Sequence, residues 1–118
     1  MFNFEKLDVW QKAIDFADLV YKHTRNFPAD ERFGLTNQMR RSAISISSNI
    51  AEGTSRMSQT DYARFIEIAT GSIFEVTSQA FIGRRQDFLN QEIFRALCTA
   101  AEEIGRMLSG LRKSLAST

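Results

Sequence analysis

Four side chains in the stretch Gln38–Gly53, QMRRSAISISSNIAEG, carry the most readable chemistry of this chain: Arg41, Ser45, Asn49 and Glu52. Steps of four, four and three keep them on one face of a helix. A guanidinium, a hydroxyl, an amide and a carboxylate in a row suit a closed hydrogen-bond network or a binding surface. Solvation of a helix face needs only generic polar residues, so the choice of short hydrogen-bonding groups asks for a reason. The row names no reaction. Glu52, Glu67 and Glu75 could turn carboxylates inward, but no nucleophile–base arrangement accompanies them. His23 is the only His, so a His-based metal cluster is ruled out, and the Glu-x-x-His pairs of a bundle di-metal site are missing. GTSRMS at Gly53–Ser58 lacks the Lys and the spacing of a phosphate loop. The expectation is no enzyme, no cofactor and no metal. His23, near the end of a helix, reads as a partly cationic imidazole suited to the helix dipole.

The elements that must position these groups are helices. Asp8 followed by Gln11 reads as a capping box opening a first helix. Its apolar stripe is Trp10, Ala13, Ile14, Ala17, Val20, Tyr21 and Thr24. It stops before Pro28, because Phe27 is steered out of the helical region, and Pro28 opens a short turn ending at Gly34. Thr36 is the expected cap of a second helix with core positions Leu35, Met39, Ala43, Ile46 and Ile50, closed by Gly53 in a left-handed cap. Ser58 with Asp61 caps a third helix, whose stripe is Tyr62, Phe65, Ile66, Ala69, Ile73, Val76 and Ala80. Its length to Arg85 is roughly 40 Å at 1.5 Å per residue. Gly71 costs about 1 kcal/mol there unless close packing requires it, and Gly83 marks fraying. Asn90 caps a fourth helix with Leu97, Ala101, Ile104, Leu108, Leu111 and Leu115 in the alternating steps of a coiled-coil seam. Residues 116–118 should fray.

Four such helices with short links predict an all-α, antiparallel up-down-up-down four-helix bundle, residues 1–118 forming a single domain. If the second and third helices turn around Thr54–Met57, facing residues sum to about 111 by simple hairpin register. Gln38, Arg41, Ser45, Ser72 and Glu75 then fall within reach of one another. Such a network either fixes helix register, as buried polar groups can, or contacts a ligand. The apolar residues overfill one stripe per helix. Phe74, Phe81 and Phe88 recur at seven, and Phe16, Ile44, Ile68 and Phe94 also lie off the core faces. A monomer would expose a large apolar patch, so self-association is expected through Phe74, Phe81 and Phe88.

The net charge of +1, from 15 basic and 14 acidic residues, gives no bulk argument for nucleic acid. The type of base is more telling: all basic residues from Arg32 to Arg85 are Arg. Guanidinium suits interfaces and phosphates, and also serves as a plain helix former on a wet face. The single Cys98 permits no intrachain disulfide and fits a reducing, cytoplasmic setting. It reads as a small buried hydrophobe. The segment MFNFEKLDVW does not read as a signal peptide, and no stretch is apolar enough for a membrane span.

FEKLDVWQKA at Phe4–Ala13, FPADERFGLTNQMRRSAISISSNIAEG at Phe27–Gly53 and FIEIATGSIFEV at Phe65–Val76 resemble the four-helix-bundle proteins encoded in intervening sequences of bacterial 23S ribosomal RNA genes. These are similar in fold to the accessory bundle protein of diversity-generating retroelements. The resemblance spans nearly the whole chain. It implies a ring-like homopentamer and a nucleic-acid role, with signature positions Gln38, Arg41, Ser45, Asn49, Glu52, Gly53, Gly71, Ser72 and Glu75. FIGRRQDFL after Ala80 departs from the family pattern, which leaves the end of the third helix open. The functional expectation is a non-enzymatic homo-oligomer that binds RNA or DNA through repeated Arg40, Arg56, Arg64, Arg84 and Arg85. The alternative is a structural or protein-interaction scaffold.

Overall fold

Four helices run alternately up and down, and a computed structural model describes them over residues 1–116. They are α1 (Asp8–Thr24), α2 (Leu35–Gly53), α3 (Gln59–Arg85) and α4 (Gln91–Ala116). Two 3-10 turns precede α1 and α2, at Asn3–Lys6 and Ala29–Glu31. The order around the bundle is α1, α2, α3, α4, each packing on its two neighbours. Among the described residues there is no strand. Ala116 closes α4, and the last two residues of the expected frayed end lie outside the described ones.

The core follows the sequence stripes on three helices. Met39, Ala43, Ile46 and Ile50 of α2 are wholly buried, as are Ile66 and Ala69 of α3 and Leu108 of α4. On α1 the buried face is turned. Val9, Ala13, Phe16, Val20 and Thr24 point inward, while Ile14 and Tyr21 are exposed. Phe16, expected off the core, is 3% exposed. Two apolar stripes lie side by side on this helix, and the one carrying the phenyl ring wins the interior over the one whose Tyr21 hydroxyl seeks water.

The helix ends depart most from expectation. Leu7, not Asp8, is the α1 cap, and its side chain makes no capping bond. Gln11 instead donates from Nε2 to the Glu5 carbonyl at 2.8 Å, tying α1 to the preceding turn. Thr36 is buried inside α2, and the helix start is capped by Glu31, whose Oε1 accepts from the Leu35 amide at 3.0 Å. Gly53 is helical with negative φ, not left-handed. A Cβ on it would come within 2.9 Å of the Tyr62 ring, so close packing explains the glycine. Gly83 is likewise buried, and Leu89 packs where its side chain would be. It does not mark fraying. Ser58 and Asn90 cap α3 and α4 as expected, accepting from the Asp61 and Ile93 amides at 3.1 and 2.8 Å.

The end of α3 is defined by a double closure. The Phe88 amide donates to the Gly83 carbonyl at 2.9 Å and the Asp87 amide to Arg84 at 3.1 Å. This is a Schellman motif, and it places Asp87 in the left-handed region at φ 64°.

Candidate functional site

The polar row of α2 meets α3 at one hydroxyl pair. Ser72 Oγ donates to Ser45 Oγ at 2.8 Å, and Asn49 Nδ2 donates to the Ser45 carbonyl and Oγ at 2.8 and 3.0 Å. Ser72 is buried, and Ser45 and Asn49 are half-buried. This pairing sums to 117, not the expected 111. The reason lies in the turn: the Thr54, Ser55 and Arg56 amides still donate to Ala51, Glu52 and Gly53, prolonging the path of α2 before the chain reverses.

The outer members of the expected network do not join it. Gln38, Arg41 and Glu75 are exposed, and none makes a hydrogen bond or ion pair among the described residues. Glu52 pairs instead with Arg56 at 3.4 Å. Glu67, exposed rather than inward, accepts from Arg112 of α4 at 2.7 Å. The residue that sequence reasoning missed is Gln79, two helical turns beyond Ser72. Its Oε1 is buried and accepts no hydrogen bond. A period of seven from Ser72 was the available signal. Gly71 is exposed, and a Cβ there would meet nothing within 4 Å. Packing within this chain does not explain it.

The five arginines expected to reach nucleic acid are scattered and mostly engaged. Arg40 stacks over the Tyr21 ring at 4.5 Å and donates from Nε to Thr24 at 2.9 Å, so it is locked onto α1. Arg56 lies over Phe65 at 4.4 Å as well as beside Glu52. Arg64 pairs with Asp61 at 2.8 Å. Arg84 donates to Gln91 at 3.0 Å and lies 3.6 Å from Asp87. Arg85 alone of the five is exposed without an ion pair or hydrogen bond among the described residues. Neutralised guanidinium groups attract phosphate weakly, because contact requires breaking the existing pair.

The aromatic surplus divides unevenly. Phe88 is half-buried with its ring 5.3 Å from Phe27, closing the end of the core. Phe81 is 55% exposed and meets Phe94 edge-on at 4.8 Å. Phe74 is 73% exposed. It borders a groove of about 530 Å³ between α3 and α4, lined also by Thr70, Thr77, Ala101 and Gly105. Ile44 and Ile68 are exposed, as expected.

Titratable chemistry is sparse. Burial pushes the half-buried Cys98 thiol up, which disfavours the thiolate. Burial and the Lys22 charge push the His23 imidazole below its ordinary 6.5, so the neutral ring is favoured rather than the cation expected at a helix end. Among the described residues no group of three or more His, Cys, Asp or Glu could hold a metal ion. No helix among them is long and apolar enough to cross a membrane.

The fold is an antiparallel four-helix bundle, with a part-buried serine–asparagine cluster where α2 meets α3. The family model of the 23S rRNA-intervening sequence protein matches residues 5–110, and the chain belongs to that family. It is also similar to a crystal structure of a protein of unknown function from the S23 ribosomal protein family of Bacteroides thetaiotaomicron. That likeness has a TM-score of 0.80 at 25% identity and covers 89% of this chain and 98% of the other. No curated protein matches the chain.

Proposed function

We infer that the chain works as a self-associating four-helix building block, a homo-oligomeric scaffold without catalytic chemistry of its own. The observation that carries this reading is the exposed Phe74 beside the open α3/α4 groove. An aromatic this exposed next to an apolar groove is costly for a solitary chain, and covering both with another copy recovers that cost. The family resemblance adds the number, a ring of five. The half-buried single Cys98 supports a cytoplasmic setting for the assembly.

Light scattering at micromolar concentration tests it. The wild-type chain is expected to scatter as several times the 13.5 kDa chain mass. Phe74→Glu is expected to scatter as one chain, because docking would bury an unpaired carboxylate. A wild-type mass of one chain sinks the reading.

Nucleic-acid binding is the second reading, supported by Arg32, Arg41 and Arg85, the guanidinium groups between Arg32 and Arg85 that stand exposed without an ion pair or hydrogen bond among the described residues. A ring would repeat each of them and gain avidity. Ribosomal RNA fragments and duplex DNA, titrated at low and moderate salt against wild type and Arg85→Glu, discriminate the two. Binding that falls steeply with salt and is lost in Arg85→Glu favours it. No binding at low salt leaves the scaffold.

A further inference from the structure

The structure assigns an occupant to the α3/α4 groove: the α1/α2 side of a second copy, making the contact head-to-tail rather than between identical faces. This rests on the self-association reading and names the surface that meets the groove. Because α1 and α3 are diagonal in the bundle, the α1/α2 and α3/α4 sides are opposite. The α1/α2 side carries its own exposed apolar strip, Ile14, Tyr21 and Ile44. The Arg40 guanidinium lies over the Tyr21 ring, 4.5 Å from its centroid.

The two features match in height. The Ser45–Ser72 bond puts Ile44 level with the α3 residue preceding Phe74. The Arg40–Thr24 bond puts Tyr21 within a turn of Ile44. The groove also has room to receive side chains: a Cβ on Gly105 would meet nothing within 4 Å.

Area also favours side-by-side docking. The molecule measures 46 × 22 × 20 Å. A long side offers roughly 900 Å² and an end about half of that, against the ~800 Å² per partner of a stable interface. The rims carry both signs of charge. Glu102 and Arg106 border the groove, exposed Asp18 lies on α1 and exposed Arg25 just past its end; none of the four is in an ion pair among the described residues. A head-to-tail contact leaves one groove and one strip unused on every pair, so assembly continues until it closes on itself or grows open-ended.

Mixing two blocked variants tests this. Gly105→Glu charges the groove in empty space and replaces a poor helix former, so it does not act by unfolding. Ile44→Glu charges the strip at an exposed position. Far-UV circular dichroism and a thermal melt accompany both. Each variant alone is expected to scatter as a single chain. An equimolar mixture is expected to give a two-chain species, since one intact groove meets one intact strip and both outer faces are blocked. If Ile44→Glu keeps the wild-type mass, or the mixture stays at one chain, the head-to-tail assignment is overturned while self-association stands. A wild type that is itself a single chain overturns both.

Discussion

Gly53 and Gly110 are the same residue type under opposite demands. A Cβ at Gly53 would lie 2.9 Å from the Tyr62 ring and 3.2 Å from Phe65 Cβ, whereas at Gly110 it would meet nothing within 4 Å. Gly53→Ala is therefore expected to cost about 1–3 kcal/mol through overpacking. Gly110→Ala is expected to stabilise by up to about 1 kcal/mol, because alanine is the better helix former. Urea midpoints of the two variants check both signs. His23 makes a separate prediction. Its folded-state pKa is depressed below 6.5 by burial and Lys22, so the unfolded chain binds this proton more readily. Stability is then full above about pH 6.5 and declines as the pH falls below it. His23→Gln is expected to flatten that part of the stability–pH curve, measured by urea unfolding between about pH 5 and 7.

Helix ends carry the next prediction. The α3 terminus holds Asp87 at φ 64°, a conformation that costs a residue with a Cβ. Asp87→Gly is expected to stabilise by roughly 0.5–1 kcal/mol, with the α3–α4 turn retained. A loss of stability would mean that the Arg84–Asp87 pair outweighs the backbone term. The helices themselves were legible, because apolar residues at three and four fixed the core faces of α2, α3 and α4. The ends were less so. Thr36 and Gly53 have the residue types of caps, yet the Glu31 carboxylate four residues before Leu35 takes the capping role at the start of α2, and packing against Tyr62 of α3 sets the role of Gly53. The face of α1 misled because Phe16 and Tyr21 head adjacent stripes, and only packing chooses between them. Within the polar row, Ser45, Asn49 and Ser72 came together as short side chains facing the neighbouring helix. Arg41 and Glu75 did not, since long charged side chains on the outer rim gain more from water than from each other.

At the scale of the molecule, four long helices around one row of buried residues make a rod with extents of 46 × 22 × 20 Å. Its Cα radius of gyration is 14.7 Å, against about 13.5 Å for a compact chain of this length. Shape therefore enters any measurement of assembly. A rod about twice as long as it is wide suffers more friction than a sphere of equal mass. A single chain is expected to leave a gel-filtration column ahead of its 13.5 kDa position, where an elution volume alone would read as a small oligomer. A ring of such rods standing side by side is squatter than its parts, so its frictional ratio should fall on assembly even as its mass rises. Sedimentation velocity, which yields mass and friction together, would register both changes in one experiment.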